Sequence, residues 1–536
     1  MLLALLVQRP VARGVLALTA SSLAVVQLEY FRFYRTFVDD QAAVCARLMW
    51  SDIEPIVIAL LPWVGLAAIF GAVSEYWLLR SVPRSSTAIV LTVAGTLVGS
   101  LVLLPSVALA PPDLRALWSL RVLLRTHDVH SHISASIPPL QSRLTQFPNV
   151  LVILDESVRA SDYMMRGARA TASETARAIP DRVELSQLRS VSSYTAISVN
   201  ALLSGHVPVG SVQHIASTPL VFDYLHALGP HRPSVLYWST QSPSFFARTN
   251  LQNVVDSFEI DSDVAGRPIA NMGETIELGM DRMLAAKIER ELPATEIPVL
   301  LVAHLSGTHA PYFVDDAHAP YRPYTHMARW TRLNELHNAY LNAIVEQDRS
   351  VARIVRAFMA KVASEPYLIV FTSDHGEAFG ERKAIHHGQS LYDEQIHVPG
   401  WIAFGNGALS AQQAAALRAH ANDYVTHLDV LPTLLDAYGM LDAFGMTRFI
   451  GRSLLQPFNA PPEPIPLTNC TELFPCPLNT WGMLAGNRSL ISQAWDGDWR
   501  CIDLTIAREV NDLQCSILRM ASQRHWPIMP NGRVNR

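Results

Sequence analysis

The sequence predicts an α/β fold: a mainly parallel sheet sandwiched by helices, preceded by N-terminal transmembrane helices. Three observations predict it. Short apolar, β-branched runs alternate with helical runs from about residue 148 onward. The most apolar of the long uncharged stretches precede residue 111. Carboxylates and histidines cluster at the ends of the strand-like runs, where ligands collect in such sheets.

The apolar segments come first. The chain has 536 residues, of which 49% are hydrophobic and only 17% charged. Ile56 to Val73 and Ser85 to Ala110 carry no charge, and each is long enough to cross roughly 30 Å of hydrocarbon. Gly14 to Leu28 is a shorter candidate, and with Arg9 and Arg13 before it also fits a signal peptide. Two further spans and the lack of a clear cleavage site favour an anchor. Arg9 and Arg13, and then Arg80 and Arg84, mark cytoplasmic flanks. Three spans starting inside leave everything after Ala110 outside. The expected organisation is a multi-pass anchor over 1–110, a linker over 111–147 and an extracytoplasmic domain over 148–536. The formal charge is −5 with no basic block, which argues against nucleic acid as a partner.

Cysteine usage agrees with export. Cys470, Cys476, Cys501 and Cys515 fall near the C-terminus, where two disulfides are expected. Proximity favours Cys470–Cys476 and Cys501–Cys515. A four-cysteine zinc site is the competing reading, disfavoured by the absence of a CxxC knuckle.

Five strands are predicted within VLVILDE (150–156), SVLYW (234–238), VLLVAHL (299–305), YLIVFTSD (367–374) and WIAF (401–404). The longest helix is expected over Leu333 to Val362, with Leu336, Tyr340, Ile344, Val345 and Ile354 facing inward. Ala411 to Ala421 and His427 to Tyr438 read as further helices, with Pro432 in the first turns of the second.

The strand ends carry Asp155 and Glu156, then His304 and His309, then Asp374 and His375; a loop adds His386 and His387. Taken singly each has a structural reading, as a cap, a turn or a core histidine. Their joint occurrence suits zinc, with manganese as the alternative.

SDHGEAFGE followed by HHG and SLYDEQIHVP resembles the sulfatase and phosphoethanolamine transferase branch of the alkaline phosphatase superfamily. PNVLVILDESVRA (148–160), ALLSGHVP (201–208), GTHAPY (307–312) and THLDVLPTLLDAYGM (426–440) carry the same resemblance. It implies an alkaline phosphatase-like fold and a metal held by Glu156, Asp374, His375 and the nucleophile. It also implies that His309 and His387 handle the substrate phosphate or a second metal. His304 matches less closely. Asp155 replaces the glycine of the transferases' Gly-Glu-Ser/Thr motif; sulfatases have two acids there, so Asp155 is a further candidate ligand.

The hydroxyl-rich stretch SVSSYTAISVNALLSG (190–205) poses the nucleophile question. Aligning ALLSG with the sulfatase run, or TAISV with the transferases' Thr-Ala-x-Ser-Val, puts Thr195 at the nucleophile position. The formylglycine signal of sulfatases is absent, with Ile197 and Val199 in place of its proline and arginine. Taken alone, Thr195 reads as a helix N-cap; Ser192 and Ser193 are the alternative nucleophiles. Metal coordination would activate an ordinary hydroxyl.

The resemblance implies transfer of a phosphoethanolamine-type group from a membrane phospholipid donor to a surface glycolipid or glycan acceptor, through a phospho-threonine intermediate. The competing readings are a hydrolase of phosphate or sulfate esters, a glycerophosphate transferase and a membrane-anchored binding protein. The aromatic and basic loop 318–330 is read either as a headgroup or glycan contact or as plain surface. Asp429 is expected to start a helix.

Overall fold

The computed structural model describes residues 137–526 apart from 166, 168–169, 247–250, 293–296, 445–448, 472–479 and 494–498, together with scattered positions between 15 and 77. Seven strands form one sheet: β1 (Asn149–Asp155), β2 (Val183–Glu184), β3 (Ser234–Ser239), β4 (Ser257–Glu259), β5 (Val299–His304), β6 (Tyr367–Ser373) and β7 (Gly400–Gly405). Their order is β2-β7-β6-β1-β5-β3-β4. Only β7 runs antiparallel to its neighbours; the remaining pairs are parallel. The five strands read from the sequence are all present. The short edge strands β2 and β4 were not anticipated, because two or three residues carry no readable period.

Both faces of the sheet are covered, so β1 is apolar from Val150 to Leu154 and buried throughout. On one face Val150, Val152 and Leu154 pack with helix α1 (Thr195–Ser204) and, later in the chain, with Val430 to Leu435. On the other face Leu151 and Ile153 pack with α2 (Met280–Glu291) and α3 (Leu333–Val362). Leu336, Tyr340, Ile344 and Ile354 of α3 are buried as the helical period requires, whereas Val345 is only partly buried. Each such side chain contributes about 1.5–3 kcal/mol when fully buried. Helix α3 stops at Ala363, whose φ is +46°, three residues before a proline that could not continue it. Helix α4 (Val430–Ala437) accommodates Pro432 in its first turn, where backbone N–H groups lack helical partners anyway.

A second sheet, not anticipated, comprises β8 (Ile465–Thr468), β9 (Thr480–Ala485), β10 (Arg488–Gln493), β11 (Arg500–Asp503) and β12 (Arg508–Glu509), antiparallel in chain order. Helix α5 (Leu513–His525) packs on it. The Cys501–Cys515 disulfide joins β11 to α5, as expected from proximity. Cys470 is also disulfide-bonded, and its expected partner Cys476 lies outside the described residues.

Near the N-terminus, residues 21–28 and 64–74 are helical. Among the described residues no helix is long and apolar enough to cross a membrane. The expected span from Ser85 to Ala110 lies outside the described residues, as does most of the 111–147 linker.

Candidate active site

Strand register builds the site. Leu154 pairs with His304, and Asp155 with Ser373, so the carboxyl ends of β1, β5 and β6 lie side by side. Residues that follow these ends, Glu156 and Asp374–His375, therefore share one edge of the sheet. Helix α1 begins at Thr195, with Tyr194 as its N-cap. The isolated cap reading of Thr195 thus does not hold, because it is the first helical residue. Its Oγ1 lies 3.1 Å from His375 Nε2.

The acceptors around that point are in excess. His375 Nδ1 donates to Gly376 O at 3.0 Å. Burial holds the ring well below its usual pKa, and hence neutral, so Nε2 carries a lone pair. Facing it are Asp374 Oδ2 at 3.2 Å and Glu156 Oε1 at 3.7 Å. Asp374 Oδ2 is buried and has no hydrogen-bond partner among the described residues. Glu156 and Asp374 are both pushed upward, first by burial. A cation is the group that satisfies three converging lone pairs among buried side chains. Ligand atoms of Glu156, His375 and His387 lie within 4.8 Å of one another, so His387 joins the group that could hold a metal.

Around this centre several side chains fix its members. Ser157, at φ +59°, donates its N–H to Asp374 Oδ1 at 2.8 Å and its hydroxyl to Glu156 Oε1 at 2.7 Å. Gln241, just past β3, donates to Glu156 Oε2 at 2.7 Å and lies 3.3 Å from His304 Nε2. His304 Nδ1 is 2.8 Å from the Tyr237 hydroxyl; burial pushes this ring down to about 4. His304 therefore meets the centre through Gln241.

His309 and His387 face each other with ring centroids 5.3 Å apart and are tuned in opposite directions. Burial, and then the nearby His387, push His309 down to about 4. Its Nδ1 donates to Ala310 O at 2.6 Å, which leaves Nε2 as a proton acceptor. His387 is pushed up to about 9 although burial opposes its charge, because Glu377 offsets that burial. Glu377 Oε2 accepts from His387 Nδ1, and its Oε1 from His386 Nδ1, each at 3.0 Å. Glu377 is itself held well below the usual carboxylate range, against its burial, by His387 and His386. Oppositely tuned neighbours of this kind suit paired acid and base roles.

Asp155 is placed differently from the other candidates. Its charged neighbours include Asp281 on α2 and Asp348 on α3, and burial followed by these acids raises its pKa. Ser192 and Ser193 are both committed to buried hydrogen bonds, with Asn469 and with Ser390 O. From the 318–330 loop, His326 Nδ1 donates to the carbonyl of Pro311, two residues beyond His309, at 2.7 Å. Asp429 accepts from the N–H groups of Thr426 and Arg452 at 2.7 and 2.6 Å, a structural role as expected. Gln241, Ser157 and Asn469 were not singled out from the sequence. Glu377, inside the DHGE motif, joins them: nothing in its local sequence marks it as the partner of His386 and His387.

Gly376 shows how tightly the DHG segment is held. A Cβ there would meet Glu394 O at 2.6 Å and Arg159 Cβ at 3.0 Å. Gly376→Ala is expected to destabilise the domain by about 1–3 kcal/mol and to displace His375, read as a lower melting temperature together with reduced metal content.

The Sulfatase family model matches residues 148–440. The chain belongs to the sulfatase family, in the branch that holds sulfatases and phosphoethanolamine transferases within the alkaline phosphatase superfamily, and it is an enzyme of that family. It is 34% identical over 116 residues to the phosphoethanolamine transferase EptA of Helicobacter pylori, a match covering 20% of this chain and 22% of that protein. It is 28% identical over 88 residues to the uncharacterized sulfatase YidJ of Escherichia coli, covering 16% of each. The matched stretches thus span about a fifth or less of these relatives. Among solved structures, the integral membrane protein lipooligosaccharide phosphoethanolamine transferase A of Neisseria meningitidis superposes with a TM-score of 0.56 at 15% identity, over 80% of this chain and 84% of that one. The phosphonate monoester hydrolase of Agrobacterium radiobacter gives a TM-score of 0.51 at 15% identity, over 70% of this chain and 94% of that one. At that identity these two show the shared fold.

Proposed function

We propose that this enzyme transfers a phosphoethanolamine-type group from a membrane phospholipid to a surface glycolipid or glycan, with Thr195 as the nucleophile. The observation that carries the reading is the convergence of Thr195 Oγ1, His375 Nε2, Asp374 and Glu156 at one edge of the sheet. The likeness to phosphoethanolamine transferases supports it. Glu156, Asp374, His375 and Thr195 would hold zinc, or manganese, and the bound metal would supply positive charge that acidifies a neighbouring hydroxyl and offsets charge on phosphoryl oxygens. His387 is the alternative ligand, or handles the phosphate with His309.

Thr195 loses its proton to solvent and attacks phosphorus; the bond to the diacylglycerol oxygen breaks, and His387 protonates that oxygen. In the second half the acceptor hydroxyl gives its proton to His309 and attacks phosphorus. The Thr195–phosphorus bond breaks, Thr195 recovers a proton from solvent, and His309 passes the acceptor's proton to the neighbouring His387, which restores both rings to their starting states. The first turn of α1 directs free N–H groups toward the incoming phosphate. Localisation follows the charge pattern: an inner-membrane anchor over 1–110, a linker over 111–147 and a catalytic domain over 148–536 on the extracytoplasmic side.

The test uses purified full-length protein with phosphatidylethanolamine vesicles and no acceptor. Accumulation of a phosphoethanolamine adduct on Thr195, seen by mass spectrometry, is the expected result. Steady release of free phosphoethanolamine without an adduct would instead mark a hydrolase, the reading favoured by the sulfatase-like LYDEQIHVP motif (391–399) and the YidJ match.

A further inference from the structure

We infer that Asn469 is a positioning residue that locks the loop carrying Thr195 to the loop carrying His387. The inference rests on the transferase reading for its catalytic consequence, and on geometry alone for the lock itself. Asn469 follows β8, beyond the stretch matched by the family model, and is completely buried. Its Oδ1 accepts from Ser193 N at 2.9 Å and from Ser192 Oγ at 3.1 Å. Its Nδ2 donates to Ser193 Oγ at 2.9 Å.

The proton count closes around this amide. Ser193 Oγ has one proton, given to Ser390 O at 2.6 Å, so its lone pair is free to take the Asn469 Nδ2 proton. Reversing the amide would set Nδ2 against the Ser193 N–H, donor against donor, which fixes its orientation. Ser192 Oγ in turn accepts from the N–H of Tyr194, the N-cap of α1, at 3.0 Å. Thus Asn469 reaches the residue before Thr195 through one hydroxyl.

The other arm reaches His387. Gly388, the next residue, donates its N–H to Ser193 O at 2.8 Å, and Ser390 O receives the Ser193 proton. Thr468 N also donates to Val191 O at 3.2 Å, which seats the end of β8 beside the same loop. One buried side chain therefore joins three chain segments, two of which carry proposed reacting groups. Aspartate would retain the acceptor and lose the donor; leucine would lose both and strand Ser193 N and Ser192 Oγ in the interior.

The experiment measures amide hydrogen exchange and single-turnover adduct formation on the full-length protein, with phosphatidylethanolamine vesicles as the probe. It compares wild type with Asn469→Ala, Asn469→Asp and Ser193→Ala. In Asn469→Ala, exchange should rise over 190–196 and 386–391 and stay unchanged in β1, β5 and β6. The adduct rate constant should fall about 10–100-fold, as for loss of a supporting partner, with the half-saturating lipid concentration unchanged. Asn469→Asp should fall between the two, and combining Ser193→Ala with Asn469→Ala should cost little beyond either alone. Unchanged exchange in both loops overturns the lock, and raised exchange with a full adduct rate overturns its catalytic role. Should Asn469→Ala fail to fold, Ser193→Ala, which cuts the same lock from the other side, decides by the same two readouts. A wild type that forms no adduct defeats the transferase reading, while the exchange comparison still decides the lock.

Discussion

Thr195→Ala is expected to abolish the phospholipid-derived adduct and to lower turnover by on the order of 10⁴-fold, the scale on which removal of an enzyme nucleophile is felt. The fold should survive, because the substitution removes only a hydroxyl and a methyl from the first residue of a helix whose cap is Tyr194. Alanine is also the better helix former. The informative comparison is zinc content. The other side chains at the centre, Glu156, Asp374, His375 and His387, are untouched, so much of the metal should remain while the adduct disappears. An adduct that persists in Thr195→Ala, and maps to Ser192 or Ser193, would overturn the assignment. Both serines would then have to leave hydrogen bonds in which they are completely buried.

Glu156→Gln should act on the metal instead. It keeps the side chain's shape and removes one of the two carboxylates facing His375 Nε2. Zinc affinity should drop by more than about a hundredfold, beyond what an outer partner typically costs. Without metal, the variant should be as stable as wild type or more so, because a buried carboxylate beside Asp374 no longer has to be accommodated. With zinc at about a hundred times the wild-type Kd, wild type should gain about 2.7 kcal/mol and the variant almost nothing. Melting curves with and without zinc read both effects. A variant that still gains the full zinc increment would remove Glu156 from the metal set.

The sheet was legible in the sequence because its central strands are buried on both faces and read as continuous apolar runs. Helix α3 was legible to the residue, since its inward positions recur at the helical period over eight turns' length of chain. The polar strand ends were legible as a group, and β-sheet register then brought Glu156, His304, Asp374 and His375 to one edge. The second sheet left no comparable trace: its strands are short, and runs such as RSLISQ mix polar and apolar residues. Gln241 and Asn469 act through partners far away in the chain, and nothing local in their neighbourhoods marks them. Asp155 and Glu156 read as an acid pair, yet alternation along an extended chain points neighbouring side chains to opposite faces. The acidic surroundings of Asp155 on the α2 and α3 side follow from that alternation.

The hydrogen bonds at Asn469 also set an order of events. Ser193 and Asn469 are 276 positions apart, so the Thr195 loop reaches its final register only after the C-terminal sheet has formed and docked. Closing so long a loop adds little entropy per further residue, but contacts of this sequence separation form late and slowly. A chain emerging N-terminus first would fold its central strands while the nucleophile loop still lacked its last support. On the proposed role of Asn469, the full rate of the nucleophile loop therefore waits for the chain as far as the end of β8 to fold against it.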